Sequence, residues 1–180
     1  MTRDTALVVI DVQVGILESA RAYRRDEVLK QISSLLKRAR ASETAIIYVQ
    51  HDGPEGHEVE VGSRGWHIHP AIAPAPGEPV VRKSACDSFF ETTLQRELEE
   101  RGIRHLVITG AMTEYCVDTT CRRATSLGFD VTLVSDAHTT HDNDRLSAAV
   151  IIAHHNALLD GFDAGQHSIS VKPAESVDLT

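Results

Sequence analysis

Short apolar runs alternate along this chain with longer stretches in which hydrophobic residues recur every three or four positions. Strands that alternate with helices form parallel sheets, because each crossover helix returns the chain to the same edge. Four runs are nearly continuous in branched apolar residues, as expected for strands covered on both faces: Ala6–Ile10, Ala45–Gln50, Leu106–Thr109 and Val131–Ser135. The pattern predicts an α/β fold in which a mostly parallel, Rossmann-like sheet lies between two layers of helices.

The stretches between these runs have helical periodicity. Asp26–Arg40 places its apolar residues on one face and its lysines and arginines elsewhere, which indicates an amphipathic crossover helix. The same pattern, with glycines where helices commonly end, predicts three more helices and a short last strand: Ser88–Arg101, Cys116 to about Leu127, Asp144–Leu159, and a strand over Ser168–Val171.

The segment Asp52–Pro79 has no sustained periodicity and contains most of the prolines of the chain. We expect it to run as a long excursion across the surface. Loops of this length in a compact domain usually have a function or are mobile.

Composition restricts the class of protein. With 180 residues, 42% apolar and 24% charged, the chain is typical of one globular domain over 1–180. A formal net charge of -8 argues against a nucleic acid as partner, so a small-molecule substrate is expected. The first apolar run is too short for a signal peptide or a membrane span, and we therefore expect a cytoplasmic protein with no membrane partner.

Cysteine usage leaves at least one thiol available for chemistry. Cys86, Cys116 and Cys121 are widely spaced and contain no CxxC pair, so neither a disulfide framework nor a thiolate zinc site is indicated. Cys116 lies where a predicted strand passes into a helix, and a helix N-terminus favours a thiolate and offers N–H groups to an oxyanion. The alternative is that all three are small buried apolar residues.

Polar residues follow several strands, and in parallel α/β sheets ligands bind at the carboxyl ends of the strands. Asp11 follows the first strand, and Lys83 ends a short apolar run after the proline-rich segment. Asp11 either caps a helix or serves a site, and Lys83 is either a solvated surface residue or part of that site. Each residue by itself leaves both interpretations open.

Three segments resemble the signature segments of isochorismatase-like cysteine hydrolases, the amidohydrolase branch that includes nicotinamidase and N-carbamoylsarcosine amidase. They are Val9-Ile10-Asp11-Val12-Gln13, Val81-Arg82-Lys83-Ser84 continuing to Asp87-Ser88-Phe89-Phe90, and Gly110-Ala111-Met112-Thr113-Glu114-Tyr115-Cys116-Val117. Their order and spacing also match, from Ala6 to about Ala137. The resemblance implies the isochorismatase-like hydrolase fold and a homo-oligomer, either a dimer or a tetramer.

By this resemblance Asp11, Lys83 and Cys116 form a catalytic triad. An ammonium beside the thiol favours the thiolate and keeps the carboxylate ionised, so that Asp11 can take and return a proton. The resemblance also implies a cis peptide bond at Ala111–Met112 and an oxyanion hole formed by the N–H groups of Met112 and Cys116. It indicates hydrolysis of a small amide, carbamoyl or ureido compound through a thioester intermediate.

Nicotinamidase-like members bind a metal through an aspartate two residues before a histidine, where this chain has Val49. We therefore expect no cofactor, although a metal site formed by histidines near the second strand is conceivable from His51, His57, His67 and His69. Candidate substrate contacts are Gln13, Trp66, Phe89 and Tyr115.

Three other functions are weighed against the amidase. Hydrolysis of the isochorismate vinyl ether does not need a nucleophile, and Cys116 argues against it. A thiol or redox-sensing protein leaves Asp11 and Lys83 without a role. A dinucleotide-binding domain is disfavoured because no GxGxxG follows the first strand.

Overall fold

The computed structural model describes residues 4–18 and 22–179. Within these ranges one sheet is formed by seven strands in the order β3-β2-β1-β4-β5-β7-β6. The strands are β1 Thr5–Ile10, β2 Ala45–His51, β3 Val80–Lys83, β4 His105–Ala111, β5 Asp130–Thr139, β6 Asp163–Ala164 and β7 His167–Lys172. The pairs are parallel except that between β6 and β7. The predicted α/β fold with a mostly parallel sheet is confirmed.

Helices cover both faces of the sheet and bury it. They are α1 Val14–Glu18, α2 Arg25–Ala41, α3 Leu94–Glu100, α4 Asp118–Ser126 and α5 Ala148–Leu159. On one face α2 inserts buried Ile32 and Leu35 against the sheet. On the other face Leu94 and Leu98 of α3 pack beside Cys121 of α4. Two apolar layers therefore hold the strands in place. The polar residues that follow the strands lie at their carboxyl ends, beyond these layers.

Two helices begin later than the sequence pattern predicts. The helix predicted from Ser88 begins only at Leu94, because the Ser88 hydroxyl bonds to Thr120 and Thr92 bonds back to the Ser88 carbonyl. The helix predicted from Asp144 begins at Ala148, whose N–H is capped by Asp142. The pattern did not predict the short helix α1 or the strand β6, because five and two residues are too few to show a period. The predicted last strand is β7.

The long segment between β2 and β3 has one 3-10 turn, Pro70–Ile72. It is not wholly a surface excursion, since Val59 is completely buried. Gly65 and His67 accept hydrogen bonds from the N–H groups of Gly15 and Val14 at the start of α1. The segment is therefore packed back over the end of β1. No helix of the described residues is long and apolar enough to cross a membrane.

Gly110 allows β1 and β4 to approach closely beside the polar edge. Its φ is +130°, and a Cβ there would lie 2.0 Å from the carbonyl oxygen of Ile10. Gly110→Ala is expected to lower the free energy of unfolding by about 3 kcal/mol, from backbone displacement and strain. Urea denaturation measures this, with Gly77→Ala as the control because its Cβ would meet no neighbour. Equal losses in both variants would contradict the steric explanation.

Candidate active site

Three strand ends bring Asp11, Lys83 and Cys116 together. Ile10 pairs with Gly110 of β4 and with Val49 of β2, and His51 pairs with Lys83 of β3. Residues just beyond these pairs therefore lie at one level along the sheet edge. Asp11 has a φ of +50° and donates its N–H to the Val49 carbonyl, which turns its side chain out of the strand and into the site.

Lys83 is the centre of the cluster. Its Nζ lies 2.6 Å from Oδ2 of Asp11, and the side chains of both residues are completely buried. The same ammonium donates to Sγ of Cys116 at 3.2 Å and to the carbonyl of Ala85 at 2.8 Å. Nδ1 of His51 lies 3.3 Å away. The ammonium thus contacts both the carboxylate and the thiol, and it stabilises a negative charge on either of them.

Burial shifts the pKa values of Asp11 and Cys116. It raises the pKa of Asp11, and Lys83 only partly offsets the rise. Burial also raises the pKa of the Cys116 thiol, the Asp11 charge raises it further, and the opposing effect of Lys83 is smaller. Lys83 thus favours the thiolate, as the sequence predicts, but burial and the Asp11 charge act more strongly in the direction of the thiol. Burial lowers the pKa of Lys83, but the negative charge of Asp11 and the bonds to Asp11 and Cys116 raise it by more.

Cys116 lies in a turn that begins earlier than the sequence predicted. Thr113–Val117 is a single π-helical turn that continues into α4, and the Val117 N–H donates to the Met112 carbonyl. The peptide bond between Ala111 and Met112 is cis. Among the described residues, the Met112 N–H has no hydrogen-bond acceptor. It is available to a ligand beside Cys116.

A small cavity of about 160 Å³ opens above the thiol and the carboxylate. Its lining is formed by Asp11, Ile16, His51, His57, Glu58, Cys86, Met112, Tyr115 and Cys116. Residues at the strand ends form the floor of the site. Side chains from the long segment and from α1 form the rest of its wall.

Of the four candidate substrate contacts, Tyr115 lines this cavity and the other three have different surroundings. Gln13 is buried, and its amide bonds to both backbone groups of His51 and to the Trp66 carbonyl. The Trp66 indole donates to Asp52. Phe89 stacks on Phe129 in the core. These three residues do not line the cavity, and the bonds described give each of them a structural role.

The four candidate metal ligands do not form a metal site. Within the described part of the chain, no three side chains of the metal-binding types come together. His51 faces Lys83, whereas His69 accepts from the Ala71 N–H and His67 lies against Trp66. Val49, at the position of the expected aspartate, is buried in β2. These residues do not fit the metal of nicotinamidase-like enzymes.

Sequence reasoning missed four residues of the cavity wall: Ile16, Glu58 and Cys86 entirely, and His57 except as a metal ligand. The length of the loop that contains His57 and Glu58 indicates that the loop has a function. It does not show which of its side chains line the cavity. Cys86 follows Lys83 closely, and its thiol is exposed.

A buried hydrogen-bond chain supports the cysteine turn from behind. Nδ1 of His138, at the end of β5, is 2.9 Å from Oγ1 of Thr113, and its Nε2 is 2.8 Å from Oδ1 of Asn156 on α5. Burial lowers the pKa of His138 to about 4, although the bond to Asn156 acts in the opposite direction. His138 is therefore neutral at physiological pH.

This pKa predicts a loss of stability in mild acid. The unfolded chain binds a proton on His138 near pH 6.5, whereas the folded chain does so only near pH 4. The free energy of unfolding should therefore fall as the pH falls from 6.5 to 4, by roughly 3 kcal/mol from this residue. Urea denaturation across this range is expected to show a shallower dependence for His138→Gln. Parallel curves for the two proteins would refute the assignment.

The sequence of this chain is similar to those of known hydrolases. A family model described as an isochorismatase domain matches residues 5–158. Streptothricin hydrolase from Streptomyces noursei is 38% identical over 138 residues, covering 76% of this chain and 50% of that protein. Ureidoacrylate amidohydrolase from Variovorax paradoxus is 30% identical over 177 residues, covering 77% of this chain and 69% of that protein. This chain thus spans half the length of the streptothricin hydrolase.

The fold is also similar to solved structures. The crystal structure of an isochorismatase from Pseudomonas putida KT2440 is 30% identical and superposes with a TM-score of 0.90. The match covers 98% of this chain and 91% of that one.

Proposed function

This chain belongs to the isochorismatase family of hydrolases, and on that premise we propose that it cleaves the C–N bond of a small amide, carbamoyl or ureido compound through a thioester on Cys116. The observation that carries the proposal is the position of the Lys83 ammonium. It lies 2.6 Å from Asp11 and 3.2 Å from the Cys116 sulfur at the base of an open cavity.

Asp11 is the general base. Its pKa is raised by burial, so the carboxylate is a stronger base than a solvated one and can accept the Cys116 proton. The neighbouring Lys83 ammonium then stabilises the thiolate as it forms. Activation thus occurs by proton transfer within the triad, and a standing thiolate is not needed.

Attack by the thiolate on the substrate carbonyl forms a C–S bond and moves an electron pair onto the oxygen. The Met112 N–H, just before the helical turn, and the Cys116 N–H within it are the proposed donors to this oxyanion. Collapse breaks the C–N bond, and protonated Asp11 returns its proton to the leaving amine or ammonia. Water, deprotonated by Asp11, then hydrolyses the thioester and releases the acid and the thiol.

The substrate class rests on the relatives and on the cavity. The names of two relatives refer to hydrolysis of streptothricin and to an amidohydrolase acting on ureidoacrylate. A cavity of about 160 Å³ holds only the reacting end of a molecule. We propose that the cleaved group is a terminal amide, carbamoyl or ureido function, with the remainder of the substrate extending past Tyr115 into solvent.

Release of ammonia or amine tests this function. The purified protein is incubated with streptothricin, ureidoacrylate, N-carbamoylsarcosine and simple primary amides, and with isochorismate as the vinyl ether comparator. We expect turnover of at least one C–N substrate and trapping of the acyl-enzyme by hydroxylamine. Cleavage of isochorismate alone, with no acyl-enzyme, would contradict the proposal. No turnover of any compound combined with reversible oxidation of Cys116 would favour a redox sensor.

We also propose that the protein is a homo-oligomer in the cytoplasm. Helix α5 contains no Asp, Glu, Lys or Arg, and its Val150 and Leu158 side chains are about half exposed. An uncharged apolar helix face is suited to pairing with a second copy of itself. Light scattering at micromolar concentration should show a dimer or tetramer, and a monomer would contradict this.

A further inference from the structure

The turn that carries Cys116 is attached to the rest of the protein through Thr113. Thr113 is completely buried, and its hydroxyl is 2.9 Å from Nδ1 of His138 on β5. His138 in turn contacts Asn156 of α5, which donates from Nδ2 to the Ser135 carbonyl at 3.2 Å. One chain of hydrogen bonds therefore links the cysteine turn to a strand and to a helix on its far side.

The direction of these bonds follows from the chemistry of the groups. Because Nδ2 of Asn156 donates to Ser135, Oδ1 of Asn156 is the acceptor facing His138, and Nε2 of His138 must carry the proton. A neutral imidazole then has an unprotonated Nδ1 that accepts the Thr113 hydroxyl proton. Each group has a single role, so the chain sets one orientation of Thr113.

Thr113 stands between the two proposed oxyanion donors, directly after Met112 and three residues before Cys116. Its carbonyl accepts the N–H that closes the turn onto α4. A shift of Thr113 therefore displaces the Met112 N–H and the Cys116 sulfur together. Transition-state stabilisation by fixed donors depends on sub-ångström placement. A displacement of this turn should therefore lower the rate of the reaction at Cys116.

We propose that His138 is a positioning residue that, through its bond to the Thr113 hydroxyl, holds the Met112–Cys116 turn in its reactive geometry. This inference rests on the proposed nucleophilic function of Cys116. His138 does not line the cavity over Cys116, and its effect should appear in the rate of reaction and hardly in substrate binding.

Thr113→Val tests this, since valine keeps the shape and removes the hydroxyl. We expect kcat to fall at least about tenfold with KM changed less than about threefold, and the rate of Cys116 alkylation by iodoacetamide to fall at least about threefold. Thr113→Ser, which keeps the hydroxyl, should restore both within about twofold. Alkylation is read by mass spectrometry and needs no substrate, so it decides the inference even if the proposed hydrolysis is not found.

The chain offers a matched control. Thr132 of β5 is also buried, and its hydroxyl lies 2.8 Å from Nε2 of His105 at the opposite end of the strands. Thr132→Val should cost similar stability and leave kcat and alkylation unchanged. Equal effects of the two valine substitutions, or no effect of Thr113→Val, would overturn the proposal. If Thr113→Val does not fold, Asn156→Ala replaces it and is expected to shift both rates in the same direction.

Discussion

Replacing Cys116 with serine is expected to lower kcat by roughly 10⁴-fold while leaving the fold unchanged. An alcohol is a far weaker acid than a thiol, and the buried Asp11 carboxylate cannot deprotonate it to a comparable extent. The side chains are nearly the same size, so the contact between Lys83 and residue 116 is kept. The measurements are kcat on the amide substrate and thermal unfolding of the variant.

Cys121→Ala is the control for this prediction. Cys121 is completely buried in the core on α4 and does not line the cavity, so its removal should leave kcat within about twofold. The variant tests whether loss of any cysteine near the site reduces the rate. If Cys116→Ser retained more than about a tenth of the wild-type kcat, the covalent mechanism would be wrong.

Replacing Lys83 with methionine is expected to lower both activity and stability. The substitution leaves Asp11 buried without its cation, which costs about 3–5 kcal/mol of unfolding free energy. It also removes the ammonium that stabilises the forming thiolate, so kcat should fall by roughly 10³-fold or more. Urea denaturation and steady-state kinetics measure the two effects separately.

The double variant Asp11→Asn with Lys83→Met separates charge from packing. It has no buried charge at these positions, so it should regain most of the lost stability but none of the activity. As a comparison, Arg64→Met breaks an exposed ion pair with Glu18 and should change stability by less than about 1 kcal/mol. A double variant no more stable than Lys83→Met would show that packing, and not the unpaired charge, causes the loss.

The pH dependence of the stability lost in Lys83→Met gives an independent check on the role of the buried Asp11 charge. Burial raises the folded-state pKa of Asp11, and the loss of Lys83 removes the main effect that opposes the rise. A raised folded-state pKa means that stability is lost as pH rises from the unfolded value of about 3.8. The stability loss of Lys83→Met should therefore shrink as the pH falls, because Asp11 becomes neutral in the folded protein at a higher pH than in the unfolded chain.

Much of the site could be predicted from local sequence. The strands are nearly continuous apolar runs, and in a parallel sheet their carboxyl ends meet at one edge. Asp11, Lys83 and Cys116 follow such ends, and segments resembling a known family surround them. The family and the α/β fold are confirmed by the comparisons and the structure, and the geometry brings the three side chains into contact.

The cavity wall could not be predicted in the same way. His57 and Glu58 come from a loop with no periodicity, and Ile16 comes from a helix of five residues. Gln13 and Phe89 are polar and aromatic residues near the site, which made them plausible contacts. Their partners are instead the backbone groups of His51 and Trp66 and the ring of Phe129. Such partners are distant in sequence and have no local signature.

The amino-acid sequence by itself determined most of the strands, the longer helices and which side chains follow the strand ends, because these depend on patterns within a few residues. Only the tertiary structure decided the pKa shifts of Asp11 and Cys116, the cavity lining and the bond between Thr113 and His138. These depend on how completely water is excluded and on groups that are far apart in the sequence, and folding alone brings such groups together.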